Sequence, residues 1–200
     1  MMMKENSMAS TSISTSTLTA DELEQARACI SQAEHSVVGA TRGLSAAQWN
    51  FKPAADRWSI AEILEHVALV YERILGPIRE QLAQAPPPPA GGAQLDQLVI
   101  GQFPVRLKRF KGPEFVHPTG RCTPEESLAR LSQGNRGLLE YLESTPDLRR
   151  HAIPSPPLKA VSGGAHELMD GYQWVLAAAA HLERHVKQIL EVKSDPGYPA

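Results

Sequence analysis

Two histidines near the end of the sequence have a spacing that allows them to act together. His181 and His185 are four residues apart in a stretch of helical apolar periodicity, so both imidazoles lie on one helix face with Cβ atoms about 5–6 Å apart. One helix can offer two nitrogens to a single cation in this way. No Glu follows His181 directly, so the pair is not the HExxH signature of zinc proteases.

A third histidine could complete a metal site. His66 lies in another apolar helical stretch, with Ile63 and Val70 about one turn to either side. Alone, it would be interpreted as a core histidine bonded to a carbonyl group. If its helix packs beside that of His181 and His185, three imidazoles converge, and a divalent metal would explain them. Three protein ligands and one open position are typical of catalytic sites. We therefore predict that these three histidines bind one divalent metal ion, and three imidazoles accept several such ions.

Four capping boxes predict where the helices that position these histidines begin. In a capping box, a Ser, Thr, Asp or Asn and a Glu or Gln three residues later satisfy each other's backbone N–H groups. The pairs are Thr19 with Glu22, Ser59 with Glu62, Thr123 with Glu126, and Asp170 with Gln173. Each pair opens an apolar stripe of helical period. Because amphipathic helices bury such stripes against each other, the sequence predicts an all-α four-helix bundle.

The connection from Ala85 to Cys122 is unusually long. It opens with Pro86–Pro89 and continues with two glycines, a composition that ends a helix. A connection of this length inside a compact domain is typically functional or partly disordered. The apolar residues at 98–100 and 103–105 indicate that parts of it pack on the bundle.

Composition excludes several classes of protein. The chain has 200 residues and a formal net charge of −2, which suits one domain with a full hydrophobic core. It has no broad basic stripe, so we expect no nucleic-acid partner. The longest strongly apolar stretch, from Trp174 to Ala180, is far too short to cross a bilayer, so we expect no membrane partner.

The cysteines and the N-terminus bear on location. Cys29 and Cys122 are too few and too far apart to form a disulfide framework, and the first residues lack an apolar core of signal-peptide length. We therefore predict a cytoplasmic protein. The Ser/Thr-rich residues 1–17 are predicted to be a disordered tail, followed by one bundle domain at 18–195.

The sequence resembles the DinB-like, or YfiT-like, superfamily of bacterial helical bundles. The matching stretches are LSAAQWNFKP at 44–53, RWSIAEILEH at 57–66 and HLERHVKQ at 181–188. In that family a Trp-Ser-Ile pattern opens the second helix, and an HxxRHxxQ pattern marks the last. The resemblance covers residues from about 20 to 193.

The resemblance implies both a topology and a function. It implies an up-down-down-up helix order, in which the long second connection crosses the bundle, and it assigns His66, His181 and His185 as the metal triad. Family members bind nickel, zinc or similar ions, so the resemblance favours Zn or Ni here, with Fe or Mn as alternatives. Many members form homodimers, so a homodimer is an expectation for this protein. Characterised relatives include transferases and isomerases that use a low-molecular-weight thiol. We therefore expect a metal-dependent hydrolase or thiol-dependent transferase that acts on a small molecule, with its catalytic residues unassigned. The alternative is a non-catalytic metal-binding stress or sensor protein.

Overall fold

The computed structural model of the protein describes residues 17–89, 92–106 and 112–200, so the predicted tail lies outside the described residues except for Thr17. The helices are α1 (Ala20–Thr41), α2 (Ala46–Asn50), α3 (Ile60–Val70), α4 (Gly76–Ala83), α5 (Gly92–Gln102), α6 (Pro124–Ser144), α7 (Pro156–Val161) and α8 (Gly171–Lys193). Two short strands are also present, β1 (Ala152–Pro154) and β2 (Leu168–Asp170).

The long helices begin at the predicted caps. In α1, α3, α6 and α8 the side chain before the helix accepts the N–H of the third helical residue, whose own side chain bonds back to the cap. Even α8 does so, although its first residue is Gly171. At the other end of α1, Gly43 adopts a φ of 70°, a left-handed conformation that glycine takes readily after a helix.

The second long helix is not α-helical throughout. The sequence predicts one helix from Ile60 to about Gln84, but a π-helical turn from Tyr71 to Leu75 separates α3 from α4. The N–H of Gly76 donates to the carbonyl of Tyr71, five residues back. The next residue, Pro77, has no N–H and would clash with the carbonyl four residues before it, which disfavours a regular α-helical turn here.

Helices α1 and α8 pack side by side and run in the same direction. Near their starts, the hydroxyl of Tyr172 donates to the carbonyl of Glu22 at 2.8 Å. Near their ends, the ammonium group of Lys193 donates to the carbonyl of Ala40, also at 2.8 Å. Since both ends match, the two helices are parallel neighbours.

The remaining contacts fix the helix order. Tyr71 donates to the side chain of Asn135 at 2.9 Å, and further along both helices Arg79 donates to the carbonyl of Gly137, so the α3–α4 rod runs parallel to α6. The N–H of Leu18, just before α1, donates to the carbonyl of Pro146, just after α6, so these two helices are antiparallel. The predicted up-down-down-up bundle is confirmed.

The crossover contains a helix that the sequence analysis did not predict. Helix α5 lies on α8, with Val99 fully buried and Leu98, Ile100 and Phe103 packed against the core. The prediction that these apolar segments pack on the bundle is therefore confirmed. No capping box precedes α5, and Gly101 lies within it, so local sequence gives little sign of a helix.

The chain between the end of α6 and the start of α8 forms a two-stranded antiparallel sheet, with Ile153 opposite Met169. Each strand has only three residues, too few to produce an alternating apolar pattern in the sequence. Among the described residues, no helix combines the length and the apolarity needed to cross a bilayer.

The side chain of Arg149 joins the starts of three helices. Its guanidinium lies 2.6 Å from Glu22 of α1, 2.5 Å from Asp96 of α5 and 2.9 Å from Asp170, the cap of α8. The two aspartate side chains are only 5% and 3% exposed. The ring of Tyr172 lies against the guanidinium, 4.3 Å away. This buried arrangement fixes how the helix starts are placed relative to one another.

The Arg149 cluster predicts a large stability effect. Arg149→Met should lower the free energy of unfolding by about 3–5 kcal/mol, because two buried carboxylates lose their counter-charge. The matched control is Arg27→Met, which removes an exposed ion pair with Glu143 and should cost about 0–1 kcal/mol. Urea denaturation of both variants measures the difference, and equal losses would contradict the prediction.

Gly134 of α6 lies against the ring of Tyr71. Alanine in a helix usually stabilises relative to glycine by about 1 kcal/mol. Here, however, a Cβ would come within 2.3 Å of the Tyr71 Cδ1 atom, so Gly134→Ala should destabilise the protein. Gly39→Ala is the control, since its Cβ would meet no atom within 4 Å and should stabilise. Opposite shifts in melting temperature are expected, and a stabilised Gly134→Ala variant would disprove this packing.

Candidate metal centre

Helix α3 carries His66 into the interior, where the residue is 5% exposed. Its Nδ1 lies 2.8 Å from the backbone carbonyl oxygen of Val116, in a 3₁₀ turn of the crossover. A carbonyl oxygen only accepts hydrogen bonds, so Nδ1 carries the hydrogen and donates it. The lone pair of the imidazole is therefore on Nε2, the atom available to a metal.

His181 and His185 lie one turn apart on α8, as their spacing predicts. Their Nε2 atoms are 3.1 Å apart. The Nδ1 of His185 lies 2.9 Å from the amide oxygen of Gln188 and donates to it, so this imidazole also keeps its lone pair on Nε2. The Nδ1 of His181 is buried and has no hydrogen-bond partner within the described part of the chain.

The structure brings together all three histidines that the sequence analysis selected. Their ring centroids are 4.5–5.5 Å apart, and one nitrogen from each lies within 4.8 Å of the others. Two nitrogens that bind the same zinc ion at about 2.1 Å lie about 3.4 Å apart if the angle at the metal is tetrahedral. The 3.1 Å separation on α8 is close to that distance, so these nitrogens fit a shared ion.

Burial keeps these histidines uncharged. It lowers the pKa of His66 below the ordinary value. Burial, with smaller contributions from the neighbouring His66 and Arg184, also lowers the pKa of His181 to about 3. Burial also lowers the pKa of His185 well below its ordinary value, with further contributions from the other two histidines and from Arg106. All three are therefore neutral at pH 7, the form in which imidazole binds metals.

An aromatic residue and a fourth histidine border the cluster. The ring of Trp58 lies 4.8 Å from that of His66, and His117 lies 6.1 Å from Trp58. The Nε2 of His117 is 3.0 Å from the carbonyl of Gly112. His117 does not belong to the group of described residues whose ligand atoms are close enough to hold one ion.

Glu65, next to His66 in sequence, holds the crossover in place. Its buried carboxylate accepts hydrogen bonds from the hydroxyl of Thr119 at 2.7 Å and the N–H of Gly120 at 2.8 Å. Burial raises the pKa of Glu65, but these hydrogen bonds outweigh it and lower the pKa overall. Glu65 thus fixes the segment that presents the Val116 carbonyl. No local pattern reveals this, because the partners are more than fifty residues apart.

The helix order and the histidine cluster together define a helical bundle with a candidate metal site between α3 and α8. A sequence profile of the DinB superfamily matches residues 30–189, and the chain belongs to this family, as the resemblance predicts. None of the curated proteins compared with the chain matches it.

Among solved structures, the chain is similar to YfiT from Bacillus subtilis, with a TM-score of 0.55 and 12% sequence identity over 92% of each chain. YfiT is described as a probable metal-dependent hydrolase with an unusual four-helix bundle topology. At this level of identity the likeness shows the fold.

The lowered pKa values predict how the metal-free protein responds to acid. In the unfolded chain these histidines protonate near the ordinary pKa of 6.5, whereas in the folded protein they do so at lower pH. The free energy of unfolding should therefore decrease as the pH falls below about 6.5, since the unfolded state takes up more protons. In His181→Leu this decrease should be smaller. Urea denaturation at pH 7 and pH 5 with a chelator tests this, and identical decreases in both proteins would contradict it.

Proposed function

We propose that the protein is a metal-dependent enzyme whose divalent ion is held by His66, His181 and His185. The observation that carries this proposal is the convergence of three neutral imidazoles in the interior. Two of them have their Nδ1 hydrogens bonded to oxygen atoms, so their lone pairs are on Nε2. This donor set suits Zn or Ni, and also accommodates Fe or Mn.

The neutrality of the ligands favours a catalytic site over a structural one. Three imidazoles contribute no negative charge, and the nearest carboxylate in sequence, Glu65, is bonded to Thr119 and Gly120 instead. A divalent ion held there would supply Lewis acidity to a small ligand at the remaining position. Arg106 and Arg184 also lower the pKa values of His185 and His181, which helps to keep these two ligands neutral.

We infer that the substrate is a small molecule that brings water or a low-molecular-weight thiol to this position. Hydrolysis and thiol-dependent transfer are therefore the two reaction classes to test. The description of YfiT as a probable metal-dependent hydrolase supports the first, and thiolate affinity for Zn or Ni supports the second. The homodimer and the cytoplasmic location stay predictions.

Metal analysis tests the ligand assignment. Purified wild-type protein should contain one divalent ion per chain, and His181→Ala should lose most of it, because two imidazoles bind such an ion much more weakly than three. His35→Ala is the matched control, since His35 is an exposed residue of α1 bonded to the carbonyl of Ser31. Unchanged metal content in His181→Ala would rule out the site.

A turnover assay separates an enzyme from a metal-binding stress or sensor protein. The wild-type protein should hydrolyse activated ester or amide substrates, or transfer a small thiol to an electrophile, and a chelator should abolish that activity. His181→Ala should be inactive, while His35→Ala should keep wild-type activity. Full metal occupancy without turnover in either assay would favour the non-catalytic alternative.

A further inference from the structure

We propose that Arg106, a residue of the crossover, is a positioning residue that sets which nitrogen of His185 carries the hydrogen. The hydrogen bonds of Arg106 go to Glu191 and Gln188, and it acts on His185 through Gln188. Its Nη1 lies 3.2 Å from the amide oxygen of Gln188, and that same oxygen lies 2.9 Å from the Nδ1 of His185. The consequence for metal binding rests on the proposed function, whereas the effect on the hydrogen position does not.

A glutamine side chain can face a neighbouring group with either of two chemically different ends. Its amide group has an oxygen that accepts and an NH₂ that donates, and rotation by 180° exchanges them. If the NH₂ of Gln188 faced His185, the Nδ1 would have to accept, and the hydrogen would move to Nε2. The Nε2 lone pair would then be lost to a metal. The orientation of Gln188 therefore decides whether His185 can be a ligand through Nε2.

Arg106 removes this ambiguity. A guanidinium group has only donors, so the Gln188 atom beside it must be the oxygen. That oxygen also faces His185, whose Nδ1 consequently donates. Arg106 thus orients the amide of Gln188, and this amide sets the tautomer of His185. Hydrogen-bond partners of this kind are known to fix the orientation and tautomer of metal-binding histidines.

The position of Arg106 is itself fixed by α8. Its Nε and Nη2 atoms lie 2.8 and 2.9 Å from the two carboxylate oxygens of Glu191, a bidentate ion pair. Arg184 donates to the backbone carbonyl of Val105, the residue before Arg106. The guanidinium is thus held in one orientation, with its third donor directed at Gln188.

His66 needs no such device. Its Nδ1 partner is the backbone carbonyl of Val116, which presents only an oxygen. His185 depends on a side-chain amide, and hence on Arg106. The motif HLERHVKQ at 181–188 accordingly supplies two ligands, the anchor Arg184 for the crossover backbone, and the relay Gln188.

The tautomer can be read directly in metal-free protein. In ¹⁵N-labelled wild type, NMR should show His185 with its hydrogen on Nδ1. In Arg106→Ala, Gln188 can present either end, so a substantial population with the hydrogen on Nε2 is expected. Zinc affinity should fall about 10- to 100-fold, the usual effect of losing an outer partner of a ligand. Arg27→Ala, which removes an exposed arginine from an ion pair with Glu143, should change neither measurement.

A second variant separates this role from simple bracing of α5 on α8. An ionised glutamate has only acceptor oxygens, so Gln188→Glu needs no arginine to orient it. Combined with Arg106→Ala, it should restore the Nδ1 hydrogen on His185 and recover most of the zinc affinity. If Arg106 only braces the crossover, Arg106→Ala leaves the tautomer of His185 unchanged, and Gln188→Glu does not recover the zinc affinity.

The outcomes distinguish the two proposals. Wild-type tautomers in Arg106→Ala, or a loss of affinity that Gln188→Glu does not restore, would overturn the role of Arg106. If wild-type protein binds no zinc and yet the tautomer of His185 shifts and is restored as described, the positioning role stands and the metal-dependent function fails.

Discussion

Three imidazoles that are to offer their lone pairs to one cation in the interior of a bundle impose a strict requirement. Each ring must be neutral, and each hydrogen must be directed away from the cluster, because a proton placed between the rings would block the nitrogens that a cation needs. Burial meets the first condition by lowering the pKa of each histidine. Oxygen acceptors behind His66 and His185 meet the second.

His181 meets the second condition less completely. The Nε2 of His185 has no hydrogen, so in the metal-free protein the 3.1 Å contact is a hydrogen bond donated by the Nε2 of His181. Its Nδ1 has no partner among the described residues. With an ion in place, that hydrogen would have to be on Nδ1. His181 is thus the ligand whose hydrogen position the protein leaves adjustable, while the other two are set in advance.

Features that depend on residues close in sequence could be predicted, and features that depend on contacts between distant residues could not. The capping boxes and the i, i+4 pair are local, so the helix starts and the shared face of His181 and His185 could be inferred from spacing. That His66 faces them required a packing assumption. The partners behind the histidines could not be inferred, since the acceptor Val116 and the donor Arg106 come from the crossover, whose path depends on tertiary contacts of Glu65 and Arg184. The long connection therefore supplies residues that hold His66 directly and His185 through Gln188.

The cluster around Arg149 has a consequence for the topology. Each α-helix carries a macrodipole with a partial positive charge at its N-terminus, and antiparallel neighbours offset these fields. Helices α1 and α8 are parallel, so two positive ends lie side by side. Three carboxylates and one guanidinium leave an excess of negative charge there, with Asp170 capping α8 and Glu22 in the first turn of α1. In this helix order, carboxylates therefore offset the partial positive charges of two adjacent helix N-termini. A simple up-down bundle, in which neighbouring helices are antiparallel, does not place two such ends side by side.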